Sequence, residues 1–398
     1  MGKRANGEGT ITKRSDGSWQ AATYVTTTAG RRVRKFVYGK TREIVRKKLV
    51  ALQRSTDQGI PVADKVWKLG EYLTYWLEQV VRPQRRIKTY VGYEGVTRLY
   101  IVPGLGSKRV DKLSAQDIRV FLSECRAICL CCKYERDCKS CRSSVPSECC
   151  KDTLSPRMVQ LIHAVLRNAL QNAVREEIIP RNVAQLVTVQ APQYEVGKGL
   201  SRSQVRDLLA TVQKDRFQAV YALALLGLRK GEILALPWSA VDLKAGVLRV
   251  EQTLQRVAGE LRINVPKTKR SKRVVPLPEF CVTALERRRE IQAEERAEAG
   301  SEWEETGLIF TTSSGKPVDP RNLLRQFYTV RERAGLDGYR FHDIRHTAVS
   351  LLLDLGVPPH VVREIVGHSA IEVTMDVYAH ASLEEKTKAL KRLGKEIA

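Results

Sequence analysis

Residues 339–380 read YRFHDIRHTAVSLLLDLGVPPHVVREIVGHSAIEVTMDVYAH, and four residues in this stretch can carry chemistry: His342, Arg345, His368 and Tyr378. His342 and Arg345 are three residues apart, so a helix would project both side chains from one face. The apolar run that follows, residues 348–356, would bury between this face and the Gly-His turn. Arginine binds phosphate oxygens in a bidentate manner, imidazoles donate or carry protons, and a phenol can act as a nucleophile. The set therefore suits phosphate chemistry.

The spacing of these residues resembles the second catalytic box of the tyrosine recombinases, in the branch of integrases from phages and integrative elements. That box has His-x-x-Arg-His, then Leu-Gly-His, then a tyrosine about ten residues later, and here Val366 replaces the leucine. Each residue alone could be an ordinary helix-surface or core residue, but the joint spacing disfavours that alternative. The resemblance implies that Tyr378 is the nucleophile and that Arg345 binds phosphate. It also implies that His342 and His368 donate to the phosphate or carry the tyrosine proton.

The composition indicates a polyanionic partner. The 398 residues are enough for two or three domains that each bury a core. There are 68 lysines and arginines against 44 acidic residues, which gives a net charge of +24 and a pI near 9.8. Neutralising phosphates releases counterions and drives association; a soluble basic protein without such a partner is the alternative.

We expect a cytoplasmic protein with reduced thiols. No run of about 18 apolar residues predicts a transmembrane span. The first residues, MGKRANGE, lack the apolar core of a signal peptide.

Residues 1–60 form a small basic unit, with 14 lysines and arginines and four acidic residues and hence a net charge of +10. Three strands are predicted at residues 9–13, 19–25 and 31–38, and a helix is predicted from Thr41. This combination resembles the arm-binding domain of phage-type integrases, which implies that a basic sheet face lies in a DNA major groove. The DNA-binding residues implied there are Arg31, Arg32, Arg34 and Lys35. A capping subdomain with a solvated basic face is the alternative.

Residues 61–190 are predicted to be helical. Apolar and aromatic residues recur at helical spacing, and Ser114 and Ser155-Pro156 mark two helix starts. The segment resembles the all-α core-binding domain of the same family. Lys88, Thr89 and Tyr90 open a predicted helix, and helix N-termini suit phosphate, so we expect them to contact the DNA backbone, with Lys88 and Thr89 as the main candidates. The alternative is that this stretch only packs the bundle.

Eight of the nine cysteines lie between residues 125 and 150. They include two Cys-x-x-Cys pairs, Cys129 with Cys132 and Cys138 with Cys141. In a reducing compartment such pairs favour a structural tetrahedral zinc site over disulfides, with free or redox-labile thiols as the alternative. The insert departs from the common plan of phage integrases and resembles cysteine-rich insertions of some actinobacterial-type integrases.

A linker after residue 187 precedes a domain predicted over residues 198–398. Its GLRKGE sequence, residues 227–232, resembles the family's first box. The resemblance implies that Arg229 binds a non-bridging phosphate oxygen and that Glu232 orients it. In the family a β-hairpin carries the catalytic lysine; Lys267 fits this position best, and Lys269 is the second choice and an implied DNA contact.

Other elements of this domain are predicted from periodicity. We expect one small antiparallel sheet from residues 247–251, 261–265 and 273–277, and a short strand over residues 307–311. The charged helix over residues 285–298 is expected to be only a solvated face. A last amphipathic helix is predicted from Ser382.

The resemblance implies a multidomain chain: a small β-sheet-plus-helix arm-binding domain over residues 1–60, an all-α core-binding domain over residues 61–190, and a mixed, mainly-α catalytic domain of the tyrosine recombinase fold over residues 198–398. The implied activity is site-specific DNA recombination that integrates or excises a phage or mobile element. It would proceed through a 3′-phosphotyrosyl intermediate, without ATP or a catalytic metal.

Strand exchange through a four-way junction implies a homotetramer on DNA attachment sites, with an excisionase and a host DNA-bending protein as further partners. Two other functions fit parts of the chain. The arm-type first domain argues against a type IB topoisomerase-like enzyme. The complete set of catalytic residues argues against a DNA-binding regulator built on an inactive recombinase scaffold.

Overall fold

The computed structural model describes residues 9–26, 32–57, 66–133, 152–190, 199–265 and 272–367. The chain divides into two compact units, Met1–Gln193 and Tyr194–Ala398. This boundary lies within the predicted linker, and the further division near residue 60 stays a prediction. In the described part of the chain no helix is both long enough and apolar enough to cross a bilayer.

The first unit begins with three antiparallel strands and a helix, as the sequence predicts. These elements are β1 (Thr10–Lys13), β2 (Trp19–Thr26), β3 (Arg32–Gly39) and α1 (Arg42–Asp57), and β2 lies between β1 and β3. Ala21, Val45 and Leu49 are buried together between one sheet face and α1. Because strand side chains alternate between faces, the exposed Tyr24 and Phe36 lie on the opposite, open face.

The rest of the first unit is helical. Its helices are α2 (Leu69–Tyr75), α3 (Arg82–Gln84), α4 (Ile87–Val96), α5 (Val102–Leu105), α6 (Ala115–Ala127), α7 (Leu130–Lys133) and α8 (Pro156–Arg175). Two π-helical turns, Trp76–Val81 and Thr97–Ile101, continue α2 and α4. The predicted starts of α6 and α8 are confirmed. The hydroxyls of Ser114 and Ser155 accept from main-chain amides three residues on, at 3.1 and 3.3 Å.

The helix α8 supplies much of the core of this helical part. Ile162, Leu166 and Ala169 are fully buried and recur at helical spacing along one face. The Tyr72 hydroxyl donates to the Ala169 carbonyl over 3.1 Å, so this buried polar group is satisfied. The helical prediction for residues 61–190 is therefore confirmed over the described ranges.

The second unit is mainly helical. Its helices are α9 (Arg202–Thr211), α10 (Gln218–Leu225), α11 (Lys230–Leu234), α12 (Glu279–Ala299), α13 (Pro320–Arg333), α14 (Phe341–Asp354) and α15 (Pro359–Val366). The apolar helix α10 is buried over residues 219–224 and contacts both α12 and α14. The helices that carry residues of the two sequence motifs, α11 and α14, therefore pack against the same hydrophobic core.

The strands of the second unit form two separate sheets. They are β4 (Val241–Asp242), β5 (Val247–Val250), β6 (Thr253–Val257), β7 (Glu260–Asn264) and β8 (Arg273–Pro276). β5 pairs with β4 and β8, whereas β6 and β7 form a hairpin of their own. The expected single sheet is therefore wrong for residues 261–265. Ala258 and Gly259, with φ of 51° and 88°, form the tight turn that joins neighbouring strands into a hairpin.

Two smaller expectations are also wrong. Residues 307–311 form isolated bridges rather than a strand, because the partner of Leu308 is Pro237, which lies in a short segment between α11 and a 3₁₀ helix at Trp238–Ala240. The charged helix α12 is not only a solvated face, since Arg288 is 1% exposed. Its guanidinium donates to the Ile309 carbonyl over 3.0 Å and to both Glu295 oxygens over 2.9 and 3.1 Å.

We expect Ile162→Ala to lower the free energy of unfolding of the first unit by about 2–5 kcal/mol, because it removes a fully buried side chain from α8. Urea unfolding followed by circular dichroism measures this loss. Leu161 on the same helix is 37% exposed, so Leu161→Ala should cost less than about 1 kcal/mol. Equal losses for the two variants would contradict the burial pattern of α8.

Candidate active site

Arg229 is held at the start of α11 by the acid three residues later. Its main-chain N–H donates to Glu232 Oε2 over 2.9 Å, and its Nη1 donates to Oε1 over 2.7 Å. Gly227, in the turn before it, has a φ of 82°, and a Cβ added there would lie 2.5 Å from Val366 Cγ1. Only glycine fits this turn without strain. The spacing Gly-Leu-Arg-x-x-Glu therefore builds both the turn and the cap of the helix.

The Glu232 carboxylate is shared with a second arginine, Arg273, the first residue of β8. Arg273 Nη2 donates to Glu232 Oε2 over 3.0 Å, and the two side chains are only 6% and 3% exposed. Burial acts to raise the pKa of Glu232, but Arg273 and Arg229 outweigh it and lower that pKa. The carboxylate is therefore ionised at neutral pH.

The helix α14 buries Arg345 in the same cluster. Arg345 is 2% exposed, and its Nη1 donates to the Gly227 carbonyl. Its Nη2 is buried and has no hydrogen-bond partner among the residues that the structure describes. Burial lowers the pKa of Arg345 to about 9, and nearby Arg229 acts in the same direction. The group remains charged at pH 7 and, within the described ranges, one of its donor atoms is unpaired.

Arg229, Arg273 and Arg345 carry three positive charges, and Glu232 carries one negative charge. Arg229 and Arg273 act to lower the pKa of Arg345, and the Glu232 carboxylate acts to raise it. These four residues together have a net charge of +2. Buried charge is stable only when it is paired and hydrogen-bonded. A cluster with excess positive charge and an open guanidinium donor is therefore suited to an anion.

Two histidines of α14 lie beside this cluster. The rings of His342 and His346 are edge to face, with centroids 4.9 Å apart. The pKa of His342 is lowered to about 4, first by desolvation of the ring and then by His346, Arg345 and Arg229. Solvent reaches the His342 side chain and screens these charges, yet the direction of the shift keeps the imidazole neutral at pH 7. A neutral imidazole has one N–H donor and one acceptor nitrogen.

Asp343 and Thr347 fix α14 in place, and the sequence did not single them out. Asp343 is 3% exposed and accepts the Arg340 main-chain N–H over 2.7 Å, which caps the helix. The Thr347 hydroxyl donates to the Asp343 carbonyl and accepts from the Leu200 N–H, both over 2.8 Å. The start of the second unit is thereby tied to the helix that carries His342 and Arg345.

The end of α15 is held against the first motif. Gly367 ends the helix with a φ of 71°, a left-handed conformation that favours glycine. Its carbonyl accepts from Arg229 Nη2 over 2.8 Å, so Arg229 bonds both to its own helix and to this turn. The structure therefore brings together Arg229, Glu232 and Arg345, which the sequence predicts for one site.

The other predicted catalytic residues lie outside the described residues: Lys267, His368 and Tyr378. Lys269 and Arg31, predicted to contact DNA, also lie outside them. Arg273 was missed by the sequence analysis. Its only signal is its position at the end of the basic run Lys269–Arg273, where a strand begins.

The predicted zinc ligands are only partly described. Cys129 is half-buried, and its main chain forms an isolated antiparallel β-bridge with Thr153. Cys132 lies in α7, and Cys138 and Cys141 fall outside the described ranges. Within those ranges no group of three or more histidine, cysteine or acidic side chains is arranged to hold a metal ion. The zinc site stays a prediction.

The predicted DNA contacts of the first unit divide between two faces. Arg32 and Arg34 are exposed on the open sheet face, where their guanidinium groups lie 5.1 and 5.3 Å from the rings of Tyr24 and Phe36. Lys35 lies on the sheet face that α1 covers, because its cross-strand partner is the buried Thr23 and paired residues share a face.

Lys88 and Thr89 lie in the first turn of α4, which begins at Ile87. Lys88 is exposed and Thr89 is half-buried. The Thr89 N–H already donates to the Arg86 carbonyl over 2.8 Å. The amide of Thr89 is thus used within the helix, and a contact from this residue would come from its hydroxyl.

We expect His342 of the ligand-free protein to titrate below its ordinary pKa of 6.5, because partial desolvation of the ring and nearby positive charge disfavour the imidazolium. The unfolded chain therefore binds the proton first, and His342 makes the fold less stable as pH falls from 6.5 towards 4. NMR titration of the histidine rings, assigned with the His342→Asn variant, measures the midpoint. A midpoint at or above 6.5 would contradict the site electrostatics.

Two family models match the chain. The model of the phage integrase family matches residues 198–385, and that of the phage integrase N-terminal SAM-like domain matches residues 68–125. A tyrosine recombinase XerC-like protein of Caldanaerobacter subterraneus is 29% identical over 384 residues, which is 92% of each chain. An integrase of Streptomyces ambofaciens is 30% identical over 368 residues, covering 88% of this chain and 86% of that one.

Solved structures share the fold. The Tn1549 transposon integrase, in complex with a circular intermediate DNA, superposes with a TM-score of 0.64 at 20% identity and covers 82% of this chain and 99% of that one. A lambda integrase dimer bound to a core site has a TM-score of 0.53 at 15% identity and covers 94% and 96%. With its two arginine motifs on one core and relatives along most of its length, the chain belongs to the phage integrase family of tyrosine recombinases, which cut and rejoin DNA strands by transesterification.

Proposed function

We propose that Arg229 and Arg345 bind the phosphate at which a DNA strand is cut and rejoined, and that Tyr378 attacks its phosphorus. The observation that carries this proposal is the buried Nη2 of Arg345, a charged donor without a partner in the described ranges. A phosphodiester brings one negative charge and two non-bridging oxygens that accept from guanidinium groups. Positive charge that is fixed in place before the reaction stabilises the pentavalent transition state.

The reaction has two ester exchanges. The Tyr378 oxygen bonds to phosphorus and the 5′ oxygen leaves with its bonding electrons, which yields a 3′-phosphotyrosyl link. A 5′-hydroxyl of the partner duplex then attacks the same phosphorus, and the Tyr378 oxygen leaves. Each step replaces one ester with another, so neither ATP nor a catalytic metal is required.

Proton transfers are assigned to the remaining residues. Lys267 protonates the leaving 5′ oxygen. His342 is neutral, so it suits either donation to a phosphate oxygen or acceptance of the Tyr378 proton, and His368 takes the other of these tasks. Glu232 orients Arg229 through two hydrogen bonds.

The open sheet face of the first unit is proposed to bind DNA. Arg32 and Arg34 are exposed there beside aromatic rings, which suits contact with phosphates and base edges. Lys35 lies on the other face and is a weaker candidate. Lys88 at the start of α4 is proposed to contact the DNA backbone.

We propose a homotetramer as the working form, in the cytoplasm and on DNA attachment sites, because two strand exchanges need four nucleophiles. A lambda integrase tetramer bound to a Holliday junction, with a TM-score of 0.52, supports this. The reaction would integrate or excise a phage or mobile element, directed by an excisionase and a host DNA-bending protein. The cysteine insert would hold a structural zinc ion.

Covalent trapping tests the proposed chemistry. The protein and its Tyr378→Phe variant are incubated in EDTA with DNA that spans the region beside its own gene, and the products are separated on a denaturing gel. We expect a protein–DNA adduct from the unaltered protein only. An adduct with Tyr378→Phe, or none with either protein while salt-sensitive binding persists, contradicts the assignment.

The role of Arg345 is tested at the cleavage site so located. Arg345→Ala should slow adduct formation by about 10²-fold or more, because it removes a charged donor to the transition state. Arg296→Ala on α12 is the control, since this arginine is 63% exposed and pairs with Glu305. Equal rates for the two variants would exclude Arg345 from the phosphate site.

A further inference from the structure

Arg273 joins three elements around the proposed phosphate site. Its main chain begins β8 and pairs with Val250 of β5. Its Nη2 donates to Glu232 Oε2 over 3.0 Å, and its Nε donates to the Ile365 carbonyl at the end of α15 over 2.7 Å. The side chain is 6% exposed, so these bonds form away from water. One guanidinium therefore links β8, α11 and α15.

The turn after α15 is shaped around this guanidinium. A Cβ added to Gly367 would lie 3.0 Å from Arg273 Nη1 and 3.2 Å from its Cζ, so the glycine lets the arginine pass close to the main chain. The carbonyl of the same Gly367 accepts from Arg229 Nη2 over 2.8 Å. Two arginines thus hold one turn from two sides.

The sharing of Glu232 determines where Arg229 points. Glu232 Oε2 accepts both from Arg273 and from the Arg229 main chain, while Oε1 accepts from Arg229 Nη1. Without Arg273, the Glu232 carboxylate would lose one of its two positive partners and could rotate fully onto Arg229. The Ile365 carbonyl would also lose a donor in a buried place. Arg229 would then be drawn from the position in which it faces a phosphate.

We propose that Arg273 is a positioning residue of the phosphate site: it holds Glu232 between two arginines and fastens the end of α15, and so it orients Arg229. The inference rests on the proposed function of Arg229. Arg273 acts through Glu232 and the turn at Gly367, not by contact with DNA. Its loss should therefore slow the chemical step and leave DNA affinity nearly unchanged.

The second unit contains a matched buried arginine. Arg288 is 1% exposed and, like Arg273, donates to one carboxylate and one main-chain carbonyl, those of Glu295 and Ile309. It belongs to α12 and bonds to none of the site residues named above. Arg273→Met and Arg288→Met thus each remove a buried guanidinium that bonds to a carboxylate and to a main-chain carbonyl, and Arg288 makes the larger number of these bonds.

The test measures single-turnover adduct formation at saturating protein, together with DNA affinity and Tm. The rates are measured at a temperature below the unfolding transitions of both variants. We expect Arg273→Met to slow adduct formation about 10²-fold, the loss typical of a misplaced catalytic group, with a Kd within about threefold of the unaltered protein. Arg288→Met should lower Tm at least as much and leave the rate within about threefold. Arg273→Lys, which keeps one charge, should recover part of the rate.

A double-variant cycle compares the rates of the two single variants with the rate of their combination. General destabilisation of the fold does not produce coupling between the two rate losses. If Arg273 acts through the shared carboxylate, Glu232→Gln combined with Arg273→Met should be no slower than the slower single variant. Multiplicative losses in the cycle, or equal rates for Arg273→Met and Arg288→Met, would overturn the proposal. If the unaltered protein forms no Tyr378-dependent adduct, the proposed function itself has failed, which is a distinguishable result.

Discussion

The interaction on which the site depends is the sharing of one buried carboxylate, Glu232, by two arginines. An isolated guanidinium is costly to bury, and the carboxylate makes it feasible to bury Arg273 while it also holds the partly exposed Arg229. Glycines at 227 and 367 then allow the backbone to approach closely enough for main-chain carbonyls to accept from Arg345 and Arg229. Charge pairing and backbone shape together hold the cluster.

This arrangement leaves the cluster with an excess of positive charge. The three arginines exceed the one carboxylate by two charges, and Arg345 keeps a buried donor atom without a partner in the described part of the chain. An anionic phosphate would supply the missing acceptor and one of the two missing negative charges. Because the donors are held before the substrate arrives, little reorganisation is needed in the transition state. The proposed chemistry thus follows from two features of the cluster: Glu232 pairs with Arg229 and Arg273, and Arg345 keeps a donor atom for the phosphate.

The sequence predicted Arg229, Glu232 and Arg345 for one site because the family's boxes fix residue type and spacing. It missed Arg273, since five basic and polar residues in a row, 269–273, do not tell which side chain turns inward. The buried Arg288 was missed for a similar reason: a charged helix has the same composition whether or not one arginine reaches a buried carbonyl. The β6–β7 hairpin was missed because its Ala-Gly turn is a weaker signal than Asn-Gly. In each case the answer depends on tertiary contacts between distant segments.

The most direct test of the central claim is the rate of adduct formation on DNA whose scissile phosphate is replaced by an uncharged methylphosphonate. If the cluster acts by neutralising phosphate charge, Arg345→Ala should slow cleavage of the phosphodiester far more than cleavage of the methylphosphonate. The difference should reach about 10²-fold, the usual cost of one lost transition-state donor. If the variant is slowed equally on both substrates, Arg345 does not act on the phosphate charge, and the account of the site is wrong.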